Sequence, residues 1–470
     1  MLIHVVQSGE SLWQIASRYG VPLSRIVDVN QLPDPNHLVV GEAIIIPSAF
    51  SYHIVRAGET LSQIAQTYGT TVETLVRTNR LSSPQAITPG MRLLIPPRRH
   101  TVQSGETLQD IARRYNTTAA KIMALNGLTS ETQIQAGMVL AIPGPKPTID
   151  VNAFIYSTGA QGTTTLDRVG EHLTYVSPFA YRVQADGNLQ ALDDTDLIQA
   201  AYNNHVVPLM AITNFSATET GSQLAHTVLA STEIQDTLLT NIVNTMREKG
   251  YQGLNVDFEN VRPEDREPYN RFLERARDRL HAENFLLSTS VAPKTSGTQQ
   301  GLLYEAHDYP AQGRIVDFLV LMTYEWGYRL GPPRAISPVN LMRQVVEYAV
   351  SVIPSNKIMM GFSLYARDWL LPHVQGQEAE TLSPQAALAR AVQRNATIQY
   401  DQTAASPYYR YVDSQGRTHE VWFEDARSAQ AKYNLVKEYN LRGVSYWVLG
   451  NAFPQNWVVL EDNFNVRKRV

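Results

Sequence analysis

Two acidic residues, Asp257 and Glu259, stand two positions apart in the stretch 250–260, GYQGLNVDFEN. Residues i and i+2 of a strand project from one face, about 6–7 Å apart, so a strand here aligns Asn255, Asp257 and Glu259 on one surface. Leu254, Val256 and Phe258 alternate with them and assign the opposite face to a core. A D-x-E pair at an open strand end is ordinarily solvated and inert; with one face buried, the acidic face becomes a barrel interior or the wall of a cleft. Neighbouring carboxyls in such a place suit general acid–base work, because the charge of one disfavours ionisation of the other. Both acids leave the same face, so they cannot easily act from opposite sides of one bond. The spacing therefore points to unequal roles, with Glu259 as general acid and then base. Asp257 acts on something beside it, its negative charge helping to keep Glu259 protonated.

The elements that must hold this pair follow from residue 148 onward, where apolar strands alternate with amphipathic helices, the pattern of an α/β protein with a parallel sheet. Strands are predicted at 150–156, 172–180, 206–212, 253–259, 285–291, 316–324, 358–365 and 443–448. Helices are predicted at 233–249, with Ile234, Leu238, Ile242 and Met246 on one face, and at 266–280, with Tyr269, Phe272, Leu273, Ala276 and Leu280. Eight strands in residues 148–470 fit a (β/α)8 TIM barrel, whose catalytic groups stand at the C-terminal strand ends. A doubly wound sheet is the alternative, but no glycine-rich phosphate turn follows the first strand. An α+β insertion is predicted at about 366–439, containing a hairpin of 408–412 and 419–423 whose aromatic residues either pack or wall a groove.

The first third of the chain is one unit written three times. HVVQSGESL at 4–12, HIVRAGETL at 53–61 and HTVQSGETL at 100–108 recur at spacings of 49 and 47 residues. Ser11, Thr60 and Thr107 are followed three residues later by Gln14, Gln63 and Asp110, a helix-start signature. Gly20, Gly69 and Asn116 mark helix stops, a second helix runs to Asn30, Asn79 and Asn126, and each copy closes with an apolar strand and a proline. The unit is strand, helix, helix, strand.

These residues resemble the LysM module, with copies at 1–48, 50–97 and 98–144. The resemblance implies binding of N-acetylglucosamine-containing glycans, peptidoglycan or chitin, through Gly9, Glu10, Ser11, Gly58, Glu59, Thr60, Gly105, Glu106 and Thr107. The loops after the late asparagines contribute too. The same positions also suit caps and turns that fold the module. Three weak sites on one chain raise effective concentration at a polymer.

Composition narrows the classes further. Residues 1–147 carry 12 basic and 9 acidic side chains and the remainder 28 and 35, which argues against a dedicated nucleic-acid protein. The 470 residues contain no cysteine, so neither a disulfide framework nor a thiolate metal site is available. No apolar run of membrane-spanning length occurs, and the N-terminus MLIHVVQSGESLW lacks the pattern of a secretory signal peptide. Oligomeric state is left open.

Residues 148–450 resemble glycoside hydrolase family 18. Its D-x-x-D-x-D-x-E signature is met by Asp257 and Glu259, its M-x-Y-D by Met322-Thr-Tyr-Glu325, its seventh strand by Gly361-Phe-Ser-Leu-Tyr365, and its eighth-strand tryptophan by Trp447. The resemblance implies retaining, substrate-assisted hydrolysis, an exception to the two-carboxylate scheme of most glycosidases, with no metal or cofactor. It gives Glu259 the proton transfers, Asp257 the orientation of the substrate's 2-acetamido N–H, Tyr324 a hydrogen bond to the acetamido oxygen, and Trp447, Asn255 and Glu325 contacts in the sugar site. Gln252 and Asn255 stand where the family has aspartates, and Glu325 replaces another. Asn255 removes a possible proton-sharing partner, so Asp257 is expected to stay ionised to lower pH than in a site with three acids. LysM modules ahead of such a barrel are similar to the organisation of spore-cortex-lytic N-acetylglucosaminidases, implying a peptidoglycan hydrolase of the spore coat, cortex or cell wall. A chitinase and a non-catalytic spore-coat glycan-binding protein are the alternatives.

Overall fold

The computed structural model describes residues 1–216 and 218–470. They form two compact units, one of Met1–Asn36 with Ala43–Pro147 and one of His37–Glu42 with Thr148–Val470.

In the first unit each copy of the repeat folds as strand, helix, helix, strand. Leu2–Val5 pairs antiparallel with Ala43–Ile46, Ser51–Ile54 with Arg92–Ile95, and Arg98–Thr101 with Val139–Ile142. Ser11, Thr60 and Thr107 accept the backbone N–H groups of Gln14, Gln63 and Asp110, whose side chains return to the cap. Each such cap contributes about 1 kcal/mol. The first helix stops at Gly20 and Gly69, with φ of 63° and 61°; in the third copy it stops at Tyr115, and Asn116 takes the left-handed turn at φ 51°.

The late asparagine of each copy staples the second helix to the closing strand. Asn79 Nδ2 donates to Leu75 O at 2.9 Å and Leu94 O at 2.8 Å, while its Oδ1 accepts the Leu94 N–H at 2.6 Å. Asn30 does the same with Ile26 and Ile45, and Asn126 with Ile122 and Ala141.

The second unit is a closed parallel barrel. Its strands are β1 (Thr148–Ile155), β2 (Tyr175–Pro178), β3 (Val207–Thr213), β4 (Gly253–Asp257), β5 (Leu286–Val291), β6 (Phe318–Leu321), β7 (Ile358–Ser363) and β8 (Gly443–Leu449). Each pairs with the next and β8 closes on β1. The helices Thr232–Lys249 and Arg266–His281 flank β4 in sequence and pack outside the barrel. Phe258 is fully buried, its ring stacked on Tyr269 and Phe272 of the second helix with centroids 5.9 Å away in both cases. The outer face of β4 is thus core, which leaves its polar residues to the barrel interior.

One boundary differs in a way that matters. The expected strand 253–259 ends at Asp257, and Phe258 and Glu259 lie beyond the sheet. Phe258 continues the apolar alternation because it still faces the helix, although the ladder has ended.

Between β7 and β8 the insertion forms a five-stranded antiparallel sheet in the order Glu380–Leu382, Ala366–Leu371, Thr418–Trp422, Ser406–Val412, Gln399–Asp401. The aromatic residues of its hairpin mainly pack: Tyr409 is fully buried, and Trp422, nearly buried, stacks on Tyr408 at 4.5 Å. The helix Ala426–Glu438, inside the expected insertion, packs on the helices Val339–Val352 and Pro454–Asn463 as well as on the insertion strand Ser406–Val412, and leads into β8. Among the described residues no helix is long and apolar enough to cross a membrane.

Candidate active site

The barrel register brings the singled-out residues to one mouth. Thr213 of β3 lies opposite Asp257 of β4, and Ser363 of β7 opposite Trp447 of β8, at the C-terminal ends of their strands. Asp257 is 2 % exposed, and among the described residues its Oδ1 is buried without a hydrogen-bond partner. Glu259, two residues past the strand, is half-buried.

Both carboxyls hold their protons more tightly than usual. Glu259 is pushed up to about 7, by burial first and by the charge of Glu325 second. Glu325 thus adds to the effect of the neighbouring Asp257, a contribution the sequence reading did not assign. Asp257 is pushed well above the ordinary carboxylate range, by burial first and then by Glu259. Even with an amide at position 255, Asp257 lies above the ordinary carboxylate range. Asn255 is occupied elsewhere, donating through Nδ2 to Ser288 Oγ at 3.0 Å and accepting from Ser290 Oγ at 3.1 Å. Gln252 lies ahead of β4, exposed and bonded to the Tyr202 hydroxyl at 2.9 Å, so its departure from an acid does not reach the mouth.

Tyr324 and Trp447 form an aromatic wall beside the acids. Their rings stack at 6.3 Å, and the Tyr324 phenol is raised by burial, then by Asp257 and Glu259. Trp447 also meets Phe154 at 5.4 Å, Tyr156 at 5.3 Å and Phe179 at 4.9 Å. One extra residue between Tyr446 and Leu449 of β8, against Ala153 and Ile155 of β1, makes a bulge at Trp447. Gly361 of β7 accommodates Tyr324: a Cβ there would lie 2.9 Å from Tyr324 Cε1 and 2.3 Å from Leu321 O.

Glu325 sits in the left-handed region at φ 65° and accepts hydrogen bonds from the Tyr365 hydroxyl and, at 2.8 Å, from Arg367. Arg367 is 6 % exposed and lies over the Tyr365 ring at 4.6 Å. The insertion thereby delivers a cation to the mouth, which the sequence reading missed. It missed Tyr156 as well, 54 % exposed, whose phenol is raised by burial and then by Asp257, Glu259 and Glu325. Asn214 and His307, which bond the backbone around Glu259, were also overlooked. Among the described residues no group of three His, Asp or Glu side chains is placed to hold a metal ion.

The glutamates of the repeats have work inside their modules. Glu10 takes the Gln7 N–H at 2.9 Å, His4 Nε2 at 2.8 Å and Arg18 at 2.6 Å, and is held at about 2, the Gln7 N–H being the main cause. Glu59 and Glu106 repeat the backbone and histidine contacts, with His53 and His100 at 2.8 Å, and Glu106 adds Arg114. The other nitrogen of each histidine meets Tyr19, Tyr68 or Tyr115 at 3.1–3.2 Å. Gly9, Gly58 and Gly105 adopt φ of 80–82°, and a Cβ added at any of them would meet nothing within 4 Å, so the turn backbone stands open.

A (β/α)8 barrel with a buried and a half-buried carboxyl side by side and an aromatic wall at its C-terminal mouth, carried with three LysM modules, defines a glycoside hydrolase with glycan-binding modules. The chain belongs to the glycosyl hydrolases family 18, whose model matches residues 153–452, while the LysM domain matches 4–47, 53–96 and 100–143. It is 48% identical to the cortical fragment-lytic enzyme of Bacillus subtilis (strain 168), over 100% of this chain and 99% of that one. Among solved structures it is similar to the spore cortex-lytic enzyme SleL of Bacillus megaterium QM B1551, with a TM-score of 0.79, 38% identity and coverage of 100% and 99%. A chitinase from Chromobacterium violaceum ATCC 12472 matches at a TM-score of 0.62 and 26% identity, over 67% of this chain and 98% of that one.

Proposed function

We propose that this hydrolase cleaves β-1,4 bonds at N-acetylglucosamine in spore-cortex peptidoglycan, by retaining, substrate-assisted catalysis. The observation that carries the mechanism is the orphaned Asp257 Oδ1, a buried acceptor beside the protonated Glu259. A 2-acetamido N–H of the bound sugar supplies the missing donor and is thereby turned so that its carbonyl oxygen reaches the anomeric carbon. Glu259 gives its proton to the glycosidic oxygen as the bond breaks. Tyr324 donates to the acetamido oxygen while the oxazolinium ring forms. Glu259, now ionised, takes a proton from the water that opens the ring, which restores its starting state. Trp447 supplies an apolar floor for the reacting sugar and Glu325 stands beside the acids, while Asn255 stays bonded to Ser288 and Ser290 of β5.

The cortex as substrate is supported by the likeness to cortex-lytic proteins along the whole chain. The modules present the polymer through the open backbone of the Gly9–Ser11, Gly58–Thr60 and Gly105–Thr107 turns rather than through Glu10, Glu59 and Glu106, whose carboxylates are engaged internally. Release of new reducing ends from purified cortex and from chitin, by the wild type and by Glu259→Gln, tests the reading. The expected result is cortex fragments with reducing N-acetylglucosamine ends, identified by mass spectrometry, and no release by the variant. Faster release from chitin would reassign the substrate.

A further inference from the structure

Because β4 ends at Asp257, the backbone of Glu259 has no place in the sheet ladder. Side chains from both flanks of the strand hold it instead. Asn214, fully buried one residue beyond β3, makes a two-point contact: its Nδ2 donates to Glu259 O at 2.7 Å, and its Oδ1 accepts the Glu259 N–H at 2.8 Å. His307, 1 % exposed, approaches from the β5 side. Its Nε2 meets Phe258 O at 3.0 Å and its Nδ1 meets the Ala292 N–H at 2.7 Å. Since Ala292 N–H can only donate, Nδ1 is the acceptor and Nε2 carries the proton to the Phe258 carbonyl. Burial lowers this imidazole to about 4, so it remains neutral and keeps that tautomer near neutral pH.

We propose that Asn214 and His307 are positioning residues for the general acid, a two-sided clamp on the Phe258–Glu259 backbone that aims the Glu259 carboxyl at the glycosidic oxygen. Neither residue touches substrate in this scheme. The reason for such a clamp is geometric. Phe258 fixes only its own side chain in the outer core, and a carboxyl on a loop displaced by about 1 Å can lose about 100-fold in rate. Asn214 also donates to Gly221 O at 3.2 Å, which ties the turn after β3 to the same point.

This proposal rests on Glu259 as the acid, so Glu259→Gln is measured beside the clamp variants. The protein with its three repeats and barrel carries Asn214→Asp, His307→Ala or His307→Gln, and soluble cortex fragments serve as substrate. The values read are kcat, KM, the basic limb of the pH profile and the thermal midpoint. Asn214→Asp is isosteric but presents an ionised acceptor to Glu259 O. It and His307→Ala should lower kcat about 10–100-fold with KM within about threefold, and displace the basic limb. His307→Gln, which can both donate and accept, should recover most of the loss. Retention of kcat within about threefold by Asn214→Asp and His307→Ala, beside an inactive Glu259→Gln, overturns the clamp and leaves the acid in place. A kcat loss with the basic limb unmoved and no recovery in His307→Gln overturns it too, assigning the pair to folding alone. An active Glu259→Gln removes the acid assignment itself.

Discussion

Glu259, the proposed general acid, is held protonated by burial first and by the neighbouring Glu325 second, with Asp257 beside it. A general acid must be protonated to act, so kcat/KM should decline as pH rises through about 7. Glu325→Gln removes the second cause and leaves the first. Its basic limb should therefore move to lower pH, by about half a unit or more, in a pH–rate profile on cortex fragments. A limb that stays in place would leave the shift to burial and the neighbouring Asp257. The same shift has a consequence for stability. In the unfolded chain a glutamate titrates near 4.3, so between there and about 7 the folded state binds more protons and loses stability as pH rises. The amide that replaces the carboxyl in Glu259→Gln cannot ionise and escapes this loss. That variant should thus be inactive, more stable than the wild type by about 1–3 kcal/mol at pH 8, and indistinguishable from it at pH 4 in denaturant titrations.

At the scale of elements, the barrel was legible because its strands are apolar runs and its helices keep a 3.6-residue period, signals that lie within one segment. The caps of the repeats were legible for the same reason. What the sequence hid is tertiary. Arg367 reaches Glu325 across 42 positions and Asn214 reaches Glu259 across 45, and neither contact leaves a local pattern. The end of β4 was misjudged because Phe258 answers to the helix Arg266–His281 rather than to the ladder. Gly361 shows the converse, a residue whose reason is visible only in space. Gly361→Ala places a Cβ against Leu321 O and the Tyr324 ring. Overpacking of this kind costs about 1–3 kcal/mol, and here relief must come from Tyr324 or the β6 backbone. The thermal midpoint should fall, and kcat with it, because in the proposed mechanism the displaced phenol would no longer meet the acetamido oxygen.

Across the whole molecule, catalysis and retention on the polymer belong to different units, so each should be removable without the other. The repeats share one staple: Asn79 and Asn126 satisfy both the N–H and the carbonyl of the closing strands at Leu94 and Ala141. Replacing either by alanine removes the partner of those half-buried groups, at about 1 kcal/mol for each hydrogen bond lost, a large fraction of what a module of this size can spare. Modules loosened in this way present no ordered turn to a glycan. With three sites acting together, the loss of two should weaken retention on insoluble cortex far more than one module's own affinity accounts for, by about 100-fold or more. The Asn79→Ala/Asn126→Ala double variant should accordingly stay in the supernatant when cosedimented with cortex. Its kcat on short soluble fragments should match the wild type, since a fragment too short to bridge module and barrel gains nothing from avidity. Equal retention of variant and wild type would place the polymer contact in the barrel mouth instead.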